Sequence, residues 1–115
     1  MGIRSKGFAL GVVALGFALL GQDATAKLSY DVRAADEGIT YITVSGSFEA
    51  DDDLSLFRDK AVSSHAIFVG FDSGGGNVSK ALELGRLIRS LGLSTLAVRS
   101  AECSSACSLS FLGGV

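Results

Sequence analysis

The sequence has no proline and no tryptophan, one histidine, two cysteines and little net charge. A formal charge of −2 over 115 residues lacks the basic footprint that nucleic-acid binding requires, so no nucleic-acid partner is expected. The two cysteines, Cys103 and Cys107, are spaced C-x-x-x-C with no second pair, which leaves a zinc site incomplete. The apolar run Phe8–Leu20 is short of the roughly 20 residues that a spanning helix needs. At this length the chain holds one domain at most. In place of proline there is glycine, 15 residues of it, roughly double the usual share of about 7%.

The glycines fall in two regions, the first two dozen residues and the loops after strands. Arg4 and Lys6 precede the apolar run Phe8–Leu20, and Ala24-Thr25-Ala26 supplies a small-x-small site. This is the pattern of a secretory signal peptide over residues 1–26, cut between Ala26 and Lys27. The alternative is an uncut membrane anchor over residues 8–20, the one membrane contact anticipated. Export to the periplasm would place the two cysteines in an oxidising compartment, where they can pair.

The chain from Lys27 reads as alternating strands and helices. Leu28–Val32 and Ile39–Gly46 alternate apolar and polar residues around a turn at Ala34–Gly38, which predicts an antiparallel hairpin. Ala50–Ser63 reads as a helix with Leu54, Phe57 and Ala61 on one face and Asp51, Asp52 and Asp53 in its first turn. That acidic triplet either caps the helix or binds a metal, and no metal is expected. Ala66–Phe71 is almost wholly apolar, as suits a strand covered on both faces. Val78–Leu91 is a helix with Val78, Ala81, Leu82, Leu84, Leu87, Ile88 and Leu91 apolar, Glu83 spaced to pair with Arg86, and Gly92 as its stop. Ser94–Arg99 reads as a strand, and a helix begins near Ser105. The order implies βαβ units with right-handed crossovers and a mainly parallel sheet behind an N-terminal hairpin, an α/β fold.

In such sheets ligands bind beyond the carboxyl ends of the strands. Two small-residue loops belong at that edge: Ser73–Asn77, with three consecutive glycines, and Glu102–Cys107. Three glycines allow positive φ and close approach of another molecule, and the helix after them turns its free N–H groups toward the loop. The loop ends Gly-Asn-Val-Ser without the lysine of a P-loop, and Gly74 and Gly76 lack the third glycine, at position 79, of a dinucleotide fingerprint. No nucleotide cofactor, and no other cofactor, follows from it. The second loop places Ser104, Ser105 and Ser108 at a strand-to-helix turn, where a serine either caps the helix or stands exposed as a nucleophile.

Phe71-Asp72-Ser73-Gly74-Gly75-Gly76-Asn77-Val78 together with Glu102-Cys103-Ser104-Ser105-Ala106-Cys107 resembles the ClpP/crotonase superfamily. The likeness is to exported periplasmic ClpP-like proteins and, more distantly, to signal-peptide peptidase A, and it runs from about Leu28 onward. Ser105 lies 29 residues after Gly76, similar to the spacing in the proteases. The resemblance implies a ClpP/crotonase-like domain over residues 27–115, with Ser105 as nucleophile and the backbone N–H groups of Gly76 and Ala106 as oxyanion donors. It implies a serine hydrolase acting on a peptide or protein, with assembly into homo-oligomers open. The family has proline where this chain has Gly74, and small residues where this chain has Cys103 and Cys107. Its catalytic His and Asp lie downstream of the serine, at positions beyond Val115, so the chain reads as the N-terminal part of such a domain and as inactive alone.

Three readings remain for nearby groups. His65 opens the strand whose far end carries the glycine loop, near 20 Å from it for about six residues at roughly 3.3 Å each. Lys80 either forms a Ser–Lys dyad or lies solvated on the polar face of its helix. Cys103 and Cys107 form a disulfide, remain packed thiols, or act as a redox or metal pair, with the disulfide favoured by compartment and reach. The rival function is a non-catalytic peptide-binding or assembly module of the same fold. A crotonase-type thioester site is a second rival, disfavoured outside the cytoplasm.

Overall fold

The computed structural model describes residues 27–115, so the signal-peptide reading of residues 1–26 lies outside the described residues. Strands β1 (Ser29–Ala34) and β2 (Thr40–Ser45) form the anticipated antiparallel hairpin, with Tyr30 opposite Val44 and Val32 opposite Ile42. A 3-10 turn at Asp36–Gly38 joins them, closed by the Ala35 N–H donating to the Ile39 carbonyl at 2.7 Å. Helix α1 (Leu54–Ser64) leads to β3 (Phe68–Asp72), helix α2 (Val78–Ser90) to β4 (Ser94–Leu96), and a short helix α3 (Cys107–Phe111) follows. The sheet order is β1-β2-β3-β4, with β2–β3 and β3–β4 parallel. The fold is therefore α/β with a mixed four-stranded sheet.

Helix α1 starts at Leu54, four residues later than the acidic run suggests, because the three aspartates take three different tasks. Asp53 is the N-cap, its carboxylate accepting from the Ser55 N–H at 3.0 Å and the Ser55 hydroxyl at 2.6 Å. Asp52 is buried and accepts from the Leu28 N–H at 3.2 Å and the Glu49 N–H at 2.6 Å, tying the start of the hairpin to the approach of α1. Asp51 pairs with Lys27 at 2.6 Å in solvent, and that ammonium holds its carboxyl below the usual carboxylate range. The helix ends where His65 adopts the left-handed conformation at φ 60° and donates its N–H to the last-turn carbonyls.

The strand order never reverses, so two right-handed crossovers put α1 and α2 on the same face of the sheet. Tyr30, Ile42, Val44, Val69 and Phe71 share that face and form one core with Phe57 and Ala61 of α1 and Ala81, Leu84 and Ile88 of α2. Each large side chain so buried contributes roughly 1.5–3 kcal/mol. Coverage of β3 by a layer on both faces, the expectation from its apolar sequence, is not seen among the described residues. On the opposite face Tyr41, Phe68, Leu96, Val98, Ile39 and Ala35 line an open cleft of about 350 Å³. Val98 closes over β3 there at Gly70, where an added Cβ would meet its methyl group at 2.6 Å.

Helix α2 is capped by the Asn77 carboxamide accepting from the Lys80 N–H at 2.8 Å, and Gly92 at φ 70° follows its end. It buries Ala81, Leu84, Gly85 and Ile88, whereas Val78 at its first turn is exposed. Glu83 pairs with Lys80 at 3.2 Å rather than with Arg86. Strand β4 stops at Leu96, three residues short of the anticipated end, because the chain turns at Val98–Ala101 with Ser100 at φ 66°. Beyond α3 the backbone returns beside β4, with the Val115 N–H donating to the Leu93 carbonyl at 2.9 Å and the Thr95 hydroxyl to the Phe111 carbonyl at 2.8 Å.

Candidate functional site

The two loops meet at the carboxyl end of the sheet, and the parallel ladder brings them there. Past β2 and β4 the sheet continues as single bridges, Phe48 with Gly76 and Ser73 with Cys103. On one side the Ser73 N–H donates to the Glu102 carbonyl at 2.7 Å and its carbonyl accepts from the Ser104 N–H at 3.2 Å. On the other the Phe48 N–H donates to the Gly75 carbonyl at 2.9 Å and its carbonyl accepts from the Asn77 N–H at 2.8 Å. The glycine loop thus lies between the segment after β2 and the cysteine loop.

The glycines are used for approach. Gly75 and Gly76 have φ of 112° and 131°, which residues with a Cβ rarely adopt. A Cβ on Gly75 would sit 2.8 Å from the Ser105 Cβ and 3.1 Å from the Ala106 nitrogen. A Cβ on Gly76 would meet the Phe48 nitrogen at 2.7 Å. Ser73 is buried, and its hydroxyl accepts from the Gly75 N–H at 3.1 Å, which fixes the entry to the loop.

Peptide planarity sets where the next donor points. The Gly75 carbonyl faces Phe48, so the Gly76 N–H of the same trans peptide unit faces away from Phe48. That is the side on which the cysteine loop lies. Among the described residues neither the Gly76 N–H nor the Ala106 N–H has a protein acceptor, although Ala106 is buried. Unpaired donors on rigid backbone beside an exposed hydroxyl are what stabilisation of a developing oxyanion requires.

Ser105 is exposed and has φ 54°. A non-glycine residue there carries roughly 1–2 kcal/mol of unfavourable conformational energy, a strain that collects at functional turns. Capping does not explain the residue: α3 has no side-chain cap, and the Ser104 hydroxyl instead donates to the Glu102 carboxylate at 2.6 Å. The Ser105 hydroxyl has no hydrogen-bond partner among the described residues. Its carbonyl accepts from the Ser108 N–H at 3.1 Å and the Ser108 hydroxyl at 2.6 Å.

Cys103 and Cys107 are joined as a disulfide with their Cα atoms 5.2 Å apart, so the five residues around Ser105 are closed into a ring. Of the three readings of the pair, the disulfide is the one the structure shows. No protein-family model matches the chain, and no curated protein matches it.

The other candidate groups lie apart from this turn. His65 stands at the opposite end of β3, exposed at the close of α1. Lys80 is taken by Glu83. Sequence reasoning missed three supporting residues: Phe48, which anchors the glycine loop; Asp72, whose carboxylate accepts from the Glu102 N–H at 3.2 Å; and Glu102 itself. Phe48 lies three residues past the end of β2, and no spacing rule marks such a bridge. Beside the disulfide, Phe71, Leu96, Val98, Cys103, Ser108 and Phe111 help line an apolar cleft of about 360 Å³.

Proposed function

We propose that the chain carries the nucleophile and oxyanion half of an exported, ClpP-like serine hydrolase acting on peptide bonds. In this reading the Ser105 hydroxyl attacks the scissile carbonyl, and the N–H groups of Gly76 and Ala106 receive the oxygen as it gains charge. Each such donor lowers the barrier by roughly 3–4 kcal/mol in enzymes that use them. The apolar cleft beside the turn would seat an apolar side chain of the peptide. The observation that carries the reading is the left-handed, exposed Ser105 packed against Gly75. The disulfide agrees with an oxidising compartment and so with export to the periplasm.

Hydrolysis also needs a base to take the serine proton. No His, Lys or carboxylate touches the Ser105 hydroxyl among the described residues, so the chain as described would be slow or inactive without a proton acceptor from elsewhere. That same observation favours the second reading, a non-catalytic module of this fold that binds a peptide in the small-residue cleft. A fluorophosphonate probe separates the two. The hydrolase reading expects slow labelling of the full chain that Ser105→Ala abolishes. Equal labelling of both proteins would remove Ser105 as nucleophile. Peptide binding retained in Ser105→Ala but lost in Gly76→Val would establish the module instead.

A further inference from the structure

The Cys103–Cys107 bond encloses Ser105, the one residue of the cysteine loop held in a disfavoured backbone region. Residues with a Cβ prefer right-handed to left-handed backbone by about tenfold, so something must hold Ser105 where it is. The hydrogen bond that closes the turn does not itself require positive φ. The Cys107 N–H donates to the Ser104 carbonyl at 3.1 Å across Ser105 and Ala106. An ordinary type I turn makes the same bond with negative φ at both central residues. Outside the turn, the Ser104 N–H is held by the Ser73 carbonyl, which fixes only the entry. On the exit side Ser108 holds the Ser105 carbonyl and the Ser110 hydroxyl ties α3 to the Ala81 carbonyl, and the disulfide is the one covalent link between entry and exit.

We infer that this disulfide is a redox latch that holds Ser105 left-handed and keeps the Ala106 N–H beside the glycine loop. Its opening lets Ser105 turn right-handed, which re-aims both the hydroxyl and that N–H. The consequence for hydrolysis rests on the function proposed above; the conformational change does not.

The reaction needs a dithiol as reductant. Cys107 is buried, whereas Cys103 is partly exposed on the wall of the apolar cleft, so the attacking thiolate reaches the Cys103 sulfur. A mixed disulfide forms at Cys103, and Cys107 leaves as a thiolate that takes a proton. The second thiol of the reagent displaces Cys103, which is protonated in turn. Two electrons and two protons pass to the protein, and the dithiol becomes a disulfide. In a reducing compartment the site is therefore unassembled, and oxidation after export assembles it.

The test uses the full chain with and without dithiothreitol, followed by far-UV circular dichroism, backbone chemical shifts and fluorophosphonate labelling. On reduction the dichroism is expected to stay unchanged, the shifts of Ser105 to move from left-handed to right-handed values, and labelling to slow about tenfold. A Ser105→Gly protein, in which positive φ needs no latch, is expected to keep its Ala106 amide position on reduction. A Ser105 that stays left-handed after reduction would overturn the latch, and so would loss of the whole dichroism signal, which would make the bond a general staple. If the oxidised protein is never labelled while Ser105 still changes conformation, the nucleophile reading fails and the latch stands.

Discussion

At the scale of single residues, several of the chain's positive-φ positions converge on one place. Gly75, Gly76 and Ser105 all have positive φ and all lie at the junction of the two loops. The sequence displays the glycines openly, and the spacing to Ser105 suggests their partner; the left-handed serine itself has no signature in the sequence. Elsewhere a residue is placed against its chemistry. Tyr30 is buried in the core edge-on to Phe57, with ring centroids 5.8 Å apart, yet its hydroxyl has no partner among the described residues. Burial, then the charges of Asp52 and Asp53, push that phenol up to about 12. A raised pKa means that stability is full below the unfolded value near 10 and falls as pH rises from 10 toward 12. Tyr30→Phe removes an unsatisfied buried group and is expected to stabilise the fold by about 0.5–1 kcal/mol near neutral pH. Urea titrations of both proteins near pH 8 and pH 11 check this, and the advantage of the variant is expected to widen at the higher pH.

At the scale of elements, the apolar periodicity located both long helices and the hairpin, since those patterns depend on neighbours along the chain. What it missed depends on neighbours in space. The aspartate triplet leaves α1 because Asp52 is needed by Leu28 and Glu49, and one of those contacts spans 24 residues. Gly85, inside α2, is the crossing point for α3. A Cβ there would lie 3.0 Å from the Leu109 carbonyl oxygen and 3.3 Å from the Ser110 Cα. The buried Ser110 hydroxyl donates to the Ala81 carbonyl at 2.6 Å, locking the same crossing. Gly85→Ala, favourable to an isolated helix, is therefore expected to destabilise the protein by about 1–3 kcal/mol through overpacking. A lower midpoint in denaturant confirms this; an unchanged or higher one would mean that α3 shifts freely on α2.

At the scale of the whole molecule, the fold is a device for bringing distant chain segments to one sheet edge. Phe48, Gly76 and Ser105 are far apart in sequence, and the parallel bridges Phe48–Gly76 and Ser73–Cys103 bring their segments together. Alternation of strands and helices made that edge predictable, because parallel strands end together. The open face of the sheet was not predictable from β3, whose apolar run looks the same whether one or two layers cover it. The site's central claim is that the Gly76 and Ala106 N–H groups converge on an oxygen attached to the atom that Ser105 attacks. A peptide boronic acid, which forms a tetrahedral adduct with an accessible serine, tests it in a backbone amide spectrum of the full oxidised chain. The account predicts an adduct at Ser105 that moves the Gly76 and Ala106 amide protons downfield and is absent in Ser105→Ala. An adduct that leaves both amides unmoved, or saturating boronate with no adduct, would contradict it.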